Sequence, residues 1–335
     1  MKKGIKIVLI LAAVFLLLGV ALCIISFSMG ADPVELVSDG TYTININNPI
    51  KHVLDPDVYE ADREGSFGQR PGTFGEAVAE GENSYSVSGD IKNLDIEWVS
   101  GNVKIVRGEG EDIIFAEYDP DGIDADDKLY YTIEGDTLKI DCCNSDTISI
   151  GINIDGGCGN KELVVSVPYA LDDVSVDTTS ADVDMDGLEI RGKLYASTTS
   201  GRVFTANMGA GNVELDSTSG SLQFEGSCRE FFADSVSGLV IFTGSCRDIE
   251  ADTSSGQVRF VLDTIPEEIS ADTVSGDVSM YLPPDAAFEL EYDTVSGDFD
   301  CAFPVKMHDG TYYAGTGGAE IDVDTTSGNL SIFSF

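Results

Sequence analysis

One phrase returns through the second half of this chain and limits what it can fold into. Asp-Thr-x-Ser-Gly, or a close variant, stands at 177–181, 197–201, 216–220, 234–238, 252–256, 272–276 and 293–297. A last copy at 324–328 follows a longer gap. The first seven are spaced by 18 to 21 residues. A unit that short cannot enclose a core of its own, whereas stacked copies bury a continuous one, so the spacing predicts a solenoid.

Aligning the copies on their Asp separates the faces. Three residues before it stand Val174, Leu194, Val213, Phe231, Ile249, Ile269, Leu290 and Ile321. One before it stand Val176, Ala196, Leu215, Ala233, Ala251, Ala271, Tyr292 and Val323, and one after it is always Thr or Ser. Side chains alternate along a strand, so these three positions share the inward face. The second residue after the corner is again apolar: Val183, Val203, Leu222, Val240, Val258, Val278, Phe299 and Leu330. Each repeat therefore reads as strand, Ser-Gly corner, strand. No stretch beyond residue 30 carries a convincing helical period. The expected fold is all-β: a β-solenoid of stacked coils of about 18–21 residues, preceded by an N-terminal transmembrane helix.

Gly at the corner supplies the positive φ or the close approach that a sharp bend needs. The Thr and Ser hydroxyls inside it would form a ladder that satisfies corner backbone groups. The Asp faces out. With coils about 4.8 Å apart and stacked in chain order, Asp177, Asp216, Asp234, Asp252, Asp272, Asp293 and Asp324 would align, with only Ser197 interrupting. In one reading each carboxylate accepts hydrogen bonds from corner N–H groups, an Asx-type turn. In the other the row offers hard oxygen ligands to Ca²⁺, with Asp234, Asp252 and Asp272 as candidates. The Gly-Gly-x-Gly-x-Asp nonapeptide of calcium-loaded β-rolls is absent, which favours the first.

The first thirty residues set the address. Residues 7–29 carry no charge and follow Lys2, Lys3 and Lys6. As a helix they reach about 34 Å, enough to span a bilayer. The lysines then stay inside, giving a cytoplasmic tail (1–6), a transmembrane helix (7–29) and an extracytoplasmic chain from residue 32. A cleaved signal peptide is the alternative, with Ser26-Phe27-Ser28 as its site, but its apolar core would run only about 7 to 15 residues. A lipoprotein would use Cys23, where Leu22 replaces the small residue a lipobox needs. Residues 30–84 read as an extracytoplasmic spacer with little periodicity. Residues 85–168 form a strand-rich lead-in, and 169–335 hold the repeats with an insertion at 302–320.

Charge narrows the partners. The chain has 19 Lys+Arg against 59 Asp+Glu, a net charge of −40, and no acid precedes Asp32. Such a surface repels nucleic acid and anionic lipid and attracts divalent cations or cationic peptides. The same charge serves solubility and guards sheet edges.

Catalytic machinery is not legible. His52 and His308, the only two histidines, are far apart and lie in no metal-binding spacing, so a zinc site and a Ser-His-Asp triad both lack their base. No Ser sits in Gly-x-Ser-x-Gly. Carboxylate pairs at glycosidase spacing would occur wherever Asp-bearing coils stack, so they single out no pair. The acid cluster at 119–127 misses the EF-hand pattern because its Gly122 comes too early. No catalytic residue and no cofactor is expected, Ca²⁺ on the Asp row aside. Of the seven Cys, Cys228 and Cys246 hold equivalent places in adjacent coils, each within Gly-Ser-Cys-Arg. Stacking puts their Cα atoms within disulfide range. A Cys228–Cys246 bridge and a pair of reduced thiols both fit. Cys142-Cys143 and Cys158 flank a hairpin and offer another bridge.

Asn93-Leu94-Asp95-Ile96, then Leu163-Val164-Val165-Ser166-Val167-Pro168, then tandem Asp-Thr-x-Ser-Gly-x-Val coils follow one another behind the apolar run. Together they resemble the bacterial putative-adhesin family of unknown function, which includes the LiaG-like membrane-anchored proteins of Gram-positive bacteria. The resemblance covers roughly residues 85–335 and implies a β-solenoid on the outer face of the membrane, in some members linked to envelope-stress systems. It carries over no catalytic residue. The expectation is a non-enzymatic, single-pass envelope protein, an adhesin-like binding or scaffold module. Its partners would be the membrane, through 7–29, and an envelope protein or cell-wall glycan, but no nucleic acid. An accessory or sensor of envelope stress and a glycan-active enzyme are the alternatives. An adhesin would need an exposed aromatic patch, which Thr311-Tyr312-Tyr313 could begin.

Overall fold

The computed structural model describes residues 84–119, 123, 128–142 and 161–335. The tail 1–6, the apolar run 7–29, the spacer up to residue 83, residues 143–160 of the lead-in with Cys143 and Cys158, and most of the acid cluster at 119–127 lie outside them. Among the described residues no helix is long and apolar enough to cross a membrane. All their regular elements are strands.

The lead-in contributes β1 (Ser84–Val87), β2 (Asn93–Trp98), β3 (Asn102–Arg107), β4 (Ile113–Tyr118), β5 (Tyr130–Glu134), β6 (Thr137–Asp141) and β7 (Glu162–Val167). The repeats follow as pairs: β8 (Asp173–Thr178) with β9 (Asp182–Asp186), β10 (Glu189–Thr198) with β11 (Val203–Ala206), and β12 (Met208–Ser217) with β13 (Leu222–Ser227). Next come β14 (Glu230–Ser235) with β15 (Val240–Ser245), β16 (Asp248–Thr253) with β17 (Val258–Leu262), and β18 (Glu268–Thr273) with β19 (Val278–Leu282). The remainder is β20 (Phe288–Thr294), β21 (Phe299–Cys301), β22 (Val305–His308), β23 (Thr311–Ala314), β24 (Ala319–Thr325) and β25 (Leu330–Ser334).

Backbone pairing sorts these strands into two long parallel ladders. The first runs β6-β2-β8-β10-β12-β14-β16-β18-β24-β20. The second runs β7-β3-β9-β11-β13-β15-β17-β19-β25-β21. Each coil gives one strand to each ladder. A narrow third side joins them, where Met208 and Gly209 pair with Gly226 and Ser227, and these with Gly244 and Ser245. Antiparallel strands finish the ends. β5 lies on β6, β4 and then β1 on β7, and β23 and then β22 on β20. Short antiparallel additions of this kind blunt the open edges of a parallel stack.

The coils do not stack in chain order throughout. Ile269 pairs with Ile321, and Ile321 with Leu290, so the coil β24–β25 lies between β18–β19 and β20–β21. β20 carries the insertion strand β23 on one edge and β24 on the other.

The core fills the gap between the ladders. Val174, Leu194, Val213, Phe231, Ile249, Ile269, Ile321 and Leu290 are all buried, as the alternation predicts. Facing them from the second ladder are Met185, Phe224, Phe242, Phe260, Met280 and Ile332. Phe242 stacks on Phe224 at 5.7 Å and tilts against Phe231 at 5.0 Å. A small residue before the Asp (Ala233, Ala251 and Ala271 in the central coils) makes room for these rings.

Candidate functional site

The corner comes first, because it decides which groups are left over for function. In seven coils the N–H of the corner Gly donates to the Thr or Ser hydroxyl three residues earlier: Gly201 to Thr198, Gly220 to Ser217, Gly238 to Ser235, Gly256 to Thr253, Gly276 to Thr273, Gly297 to Thr294 and Gly328 to Thr325, at 2.7–2.9 Å. The Ser before the Gly reaches to the coil alongside at Ser219, Ser237, Ser255, Ser275 and Ser296, as Ser237 Oγ does to the Thr218 carbonyl at 3.4 Å. The expected hydroxyl ladder is present. Of the corner N–H groups that the Asp could accept from, that of the Gly is held by the inward hydroxyl instead.

The corner glycines answer to proximity. A Cβ on Gly220, Gly238, Gly256, Gly276 or Gly328 would collide with the carbonyl oxygen of the corner Gly in the adjoining coil. None of these corners needs a positive φ.

The acids form a ladder on the outward face of the first sheet. Register sets Asp141, Glu97, Asp177, Ser197, Asp216, Asp234, Asp252, Asp272, Asp324 and Asp293 side by side in that order. The row is longer than the repeat alone implied, and Asp324 precedes Asp293 in it. Two residues back a second outward row includes Glu214, Glu250, Asp322 and Glu291.

Partial burial, with like charges beside most of them, makes Asp177, Asp216, Asp234 and Asp252 hard to ionise. Asp252 is pushed up to about 7, chiefly by burial and then by Asp272, Glu250 and Asp234. Asp177, Asp216 and Asp234 are raised as well, burial again leading, with Asp95 and Glu97 acting on Asp177 and Glu214 on Asp216. Little cationic charge offsets the row: Lys139 lies 3.8 Å from Asp95, and Lys193 pairs with Glu214. Asp252 therefore takes up a proton near neutrality. The calcium candidates Asp234, Asp252 and Asp272 sit on three consecutive strands. Among the described residues no group of three or more His, Cys, Asp or Glu side chains is placed to hold a metal ion.

Other predicted groups fall elsewhere. Cys228 and Cys246 meet on the narrow third side with their Sγ atoms 3.1 Å apart, both as free thiols. Cys142 is buried. His308 is exposed on the terminal hairpin, 3.3 Å from Asp309. Tyr312 is half-buried, with its ring 4.7 Å from that of the half-buried Phe299.

One feature escaped the sequence. Glu117 and Lys161 are fully buried beneath the lead-in and paired at 2.9 Å. Glu117 also accepts from the Leu129 N–H, while Lys161 donates to the Cys142 carbonyl at 2.7 Å and lies over the Trp98 ring at 5.2 Å.

The family model described as Toastrack DUF4097 matches residues 91–333, which hold both parallel ladders. The chain belongs to this family. The resemblance to a putative-adhesin family of unknown function is thereby borne out. No curated protein matches the chain. The Toastrack chain is similar to a solved putative cell adhesion protein from Clostridium sporogenes, at 11% identity and a TM-score of 0.21 over 75% of this chain and 98% of that one. It is also similar to a putative adhesin from Bacteroides fragilis, at 13% identity and a TM-score of 0.44, covering 76% and 98%. A putative lipid binding protein from Parabacteroides distasonis gives 13% and 0.42, covering 76% and 97%.

Proposed function

We propose that this Toastrack protein is a non-enzymatic binding or scaffold module of the cell envelope. In this reading residues 7–29 anchor it and the outward acidic ladder docks an extended, positively charged segment of another envelope protein. The observation that carries the reading is the register of the ladder. It repeats nearly the same carboxylate at each strand spacing of about 4.8 Å down one face. A surface of that kind suits a ligand that is itself extended and repetitive, held by many weak equivalent contacts that act together. A net charge of −40 favours fast capture of cationic partners and rejects polyanions.

The test is site-directed photo-crosslinking of the full chain in its native membrane. A crosslinker at Glu250, on the outer face of the first sheet, should capture a basic protein partner, and the yield should fall as salt rises. The same crosslinker at Gln223, on the outer face of the second sheet, should not. Equal capture at both positions, or a glycan adduct at Glu250, would overturn the reading. Alkaline carbonate extraction checks the anchor: the protein should stay in the membrane pellet, and its release would favour a cleaved leader.

A further inference from the structure

Two cysteines in this fold are placed for a bond with each other. Ser227 and Ser245 are paired across β13 and β15, and Cys228 and Cys246 follow them directly. The backbone around both is fastened to neighbouring coils. Cys228 N–H donates to the Ser245 carbonyl at 3.0 Å, Arg229 N–H to Gly211 at 2.8 Å, and Arg247 N–H to Arg229 at 3.2 Å. The coils cannot spread here without losing those bonds, and a strand spacing of about 4.8 Å lies inside the Cα range of natural disulfides. The side chains have already turned toward each other, with Sγ to Sγ at 3.1 Å.

We propose that Cys228 and Cys246 form a disulfide rung between adjacent coils, made by exchange with an external disulfide, either glutathione disulfide or an oxidised dithiol protein. Cys228, the more exposed of the two, attacks the external S–S bond and releases one thiol. Cys246 then attacks the Cys228 sulfur and releases the second. The pair gives up two electrons and two protons, and the external disulfide receives them as two thiols. Cys246 suits the second step because its sulfur already lies 3.1 Å from that of Cys228. The flanking guanidiniums are engaged elsewhere, Arg229 on the Asn212 side-chain carbonyl and Arg247 on Asp248 at 2.6 Å.

Trypsin makes the test direct, because it cuts after Arg229 and Arg247 and leaves the two cysteines on separate peptides. The full chain, purified under reductant, is equilibrated with glutathione and its disulfide, alkylated in denaturant, digested and mapped by mass. The expected result is one crosslinked species of peptides 203–229 and 230–247 that separates on reduction. Complete alkylation of both cysteines after oxidation would overturn the proposal. So would linkage of either to another cysteine. This measurement needs no variant. A second readout concerns the tie itself. Oxidation should raise the denaturant midpoint of the wild-type chain and leave that of C228S/C246S unmoved. A wild-type midpoint that does not move would sink the structural role.

Discussion

At the scale of single residues, the informative contrast lies between two neighbours in every repeat, the Asp and the Thr or Ser after it. Both are turn-capping side chains, and composition alone does not say which one closes the corner. Strand alternation does, because only the inward residue faces the Gly N–H. The Thr253 hydroxyl accepts from Gly256 at 2.9 Å inside the corner. Thr253→Val keeps the shape and leaves that N–H without its acceptor. It should lower unfolding free energy by about 1–3 kcal/mol in urea titration, while Thr253→Ser changes little. The inward rows were readable from period two, and so was the Ser-Gly corner. Whether the corner Gly serves a positive φ or a close approach was not, since that depends on how neighbouring coils nest.

Among elements, the lead-in was the least legible. Its strands β2 and β3 announce themselves by alternation and pair in register with β8 and β9. The buried Glu117–Lys161 pair gave no sign, because its partners stand 44 residues apart in strand-rich sequence where charges ordinarily face water. Its energetics follow from burial. Removing one member strands the other charge, whereas replacing both by apolar groups is often neutral. Lys161→Met should destabilise the domain by about 3–5 kcal/mol, and the double variant Lys161→Met/Glu117→Leu should recover most of the loss by the same denaturant measurement. No recovery would mean that the Leu129 and Cys142 backbone bonds carry the effect.

For the molecule as a whole, the acidic ladder sets how stability responds to pH. Asp252 has a folded-state value near 7, against an ordinary carboxylate value near 4. Above pH 7 its charge opposes folding. As pH falls from 7 toward 4 the folded state binds the proton more tightly than the unfolded chain does, so stability rises. Asp177, Asp216 and Asp234 are shifted the same way and add to the trend. The melting temperature should therefore be higher at pH 5 than at pH 8. Asp252→Asn should raise it at pH 8 and flatten the profile, and added salt should narrow the gap. A profile that falls steadily on acidification would contradict this account. The position of β24–β25 also bears on how the domain is assembled. A solenoid can usually grow by adding each new coil to the exposed end of those already folded. Here the coil β20–β21 leaves the ribosome before the coil that separates it from β18–β19. It must wait, or seat itself provisionally against β18–β19 and give way. Cutting the chain just before residue 319 would remove an interior layer of the stack and leave its cap without a seat.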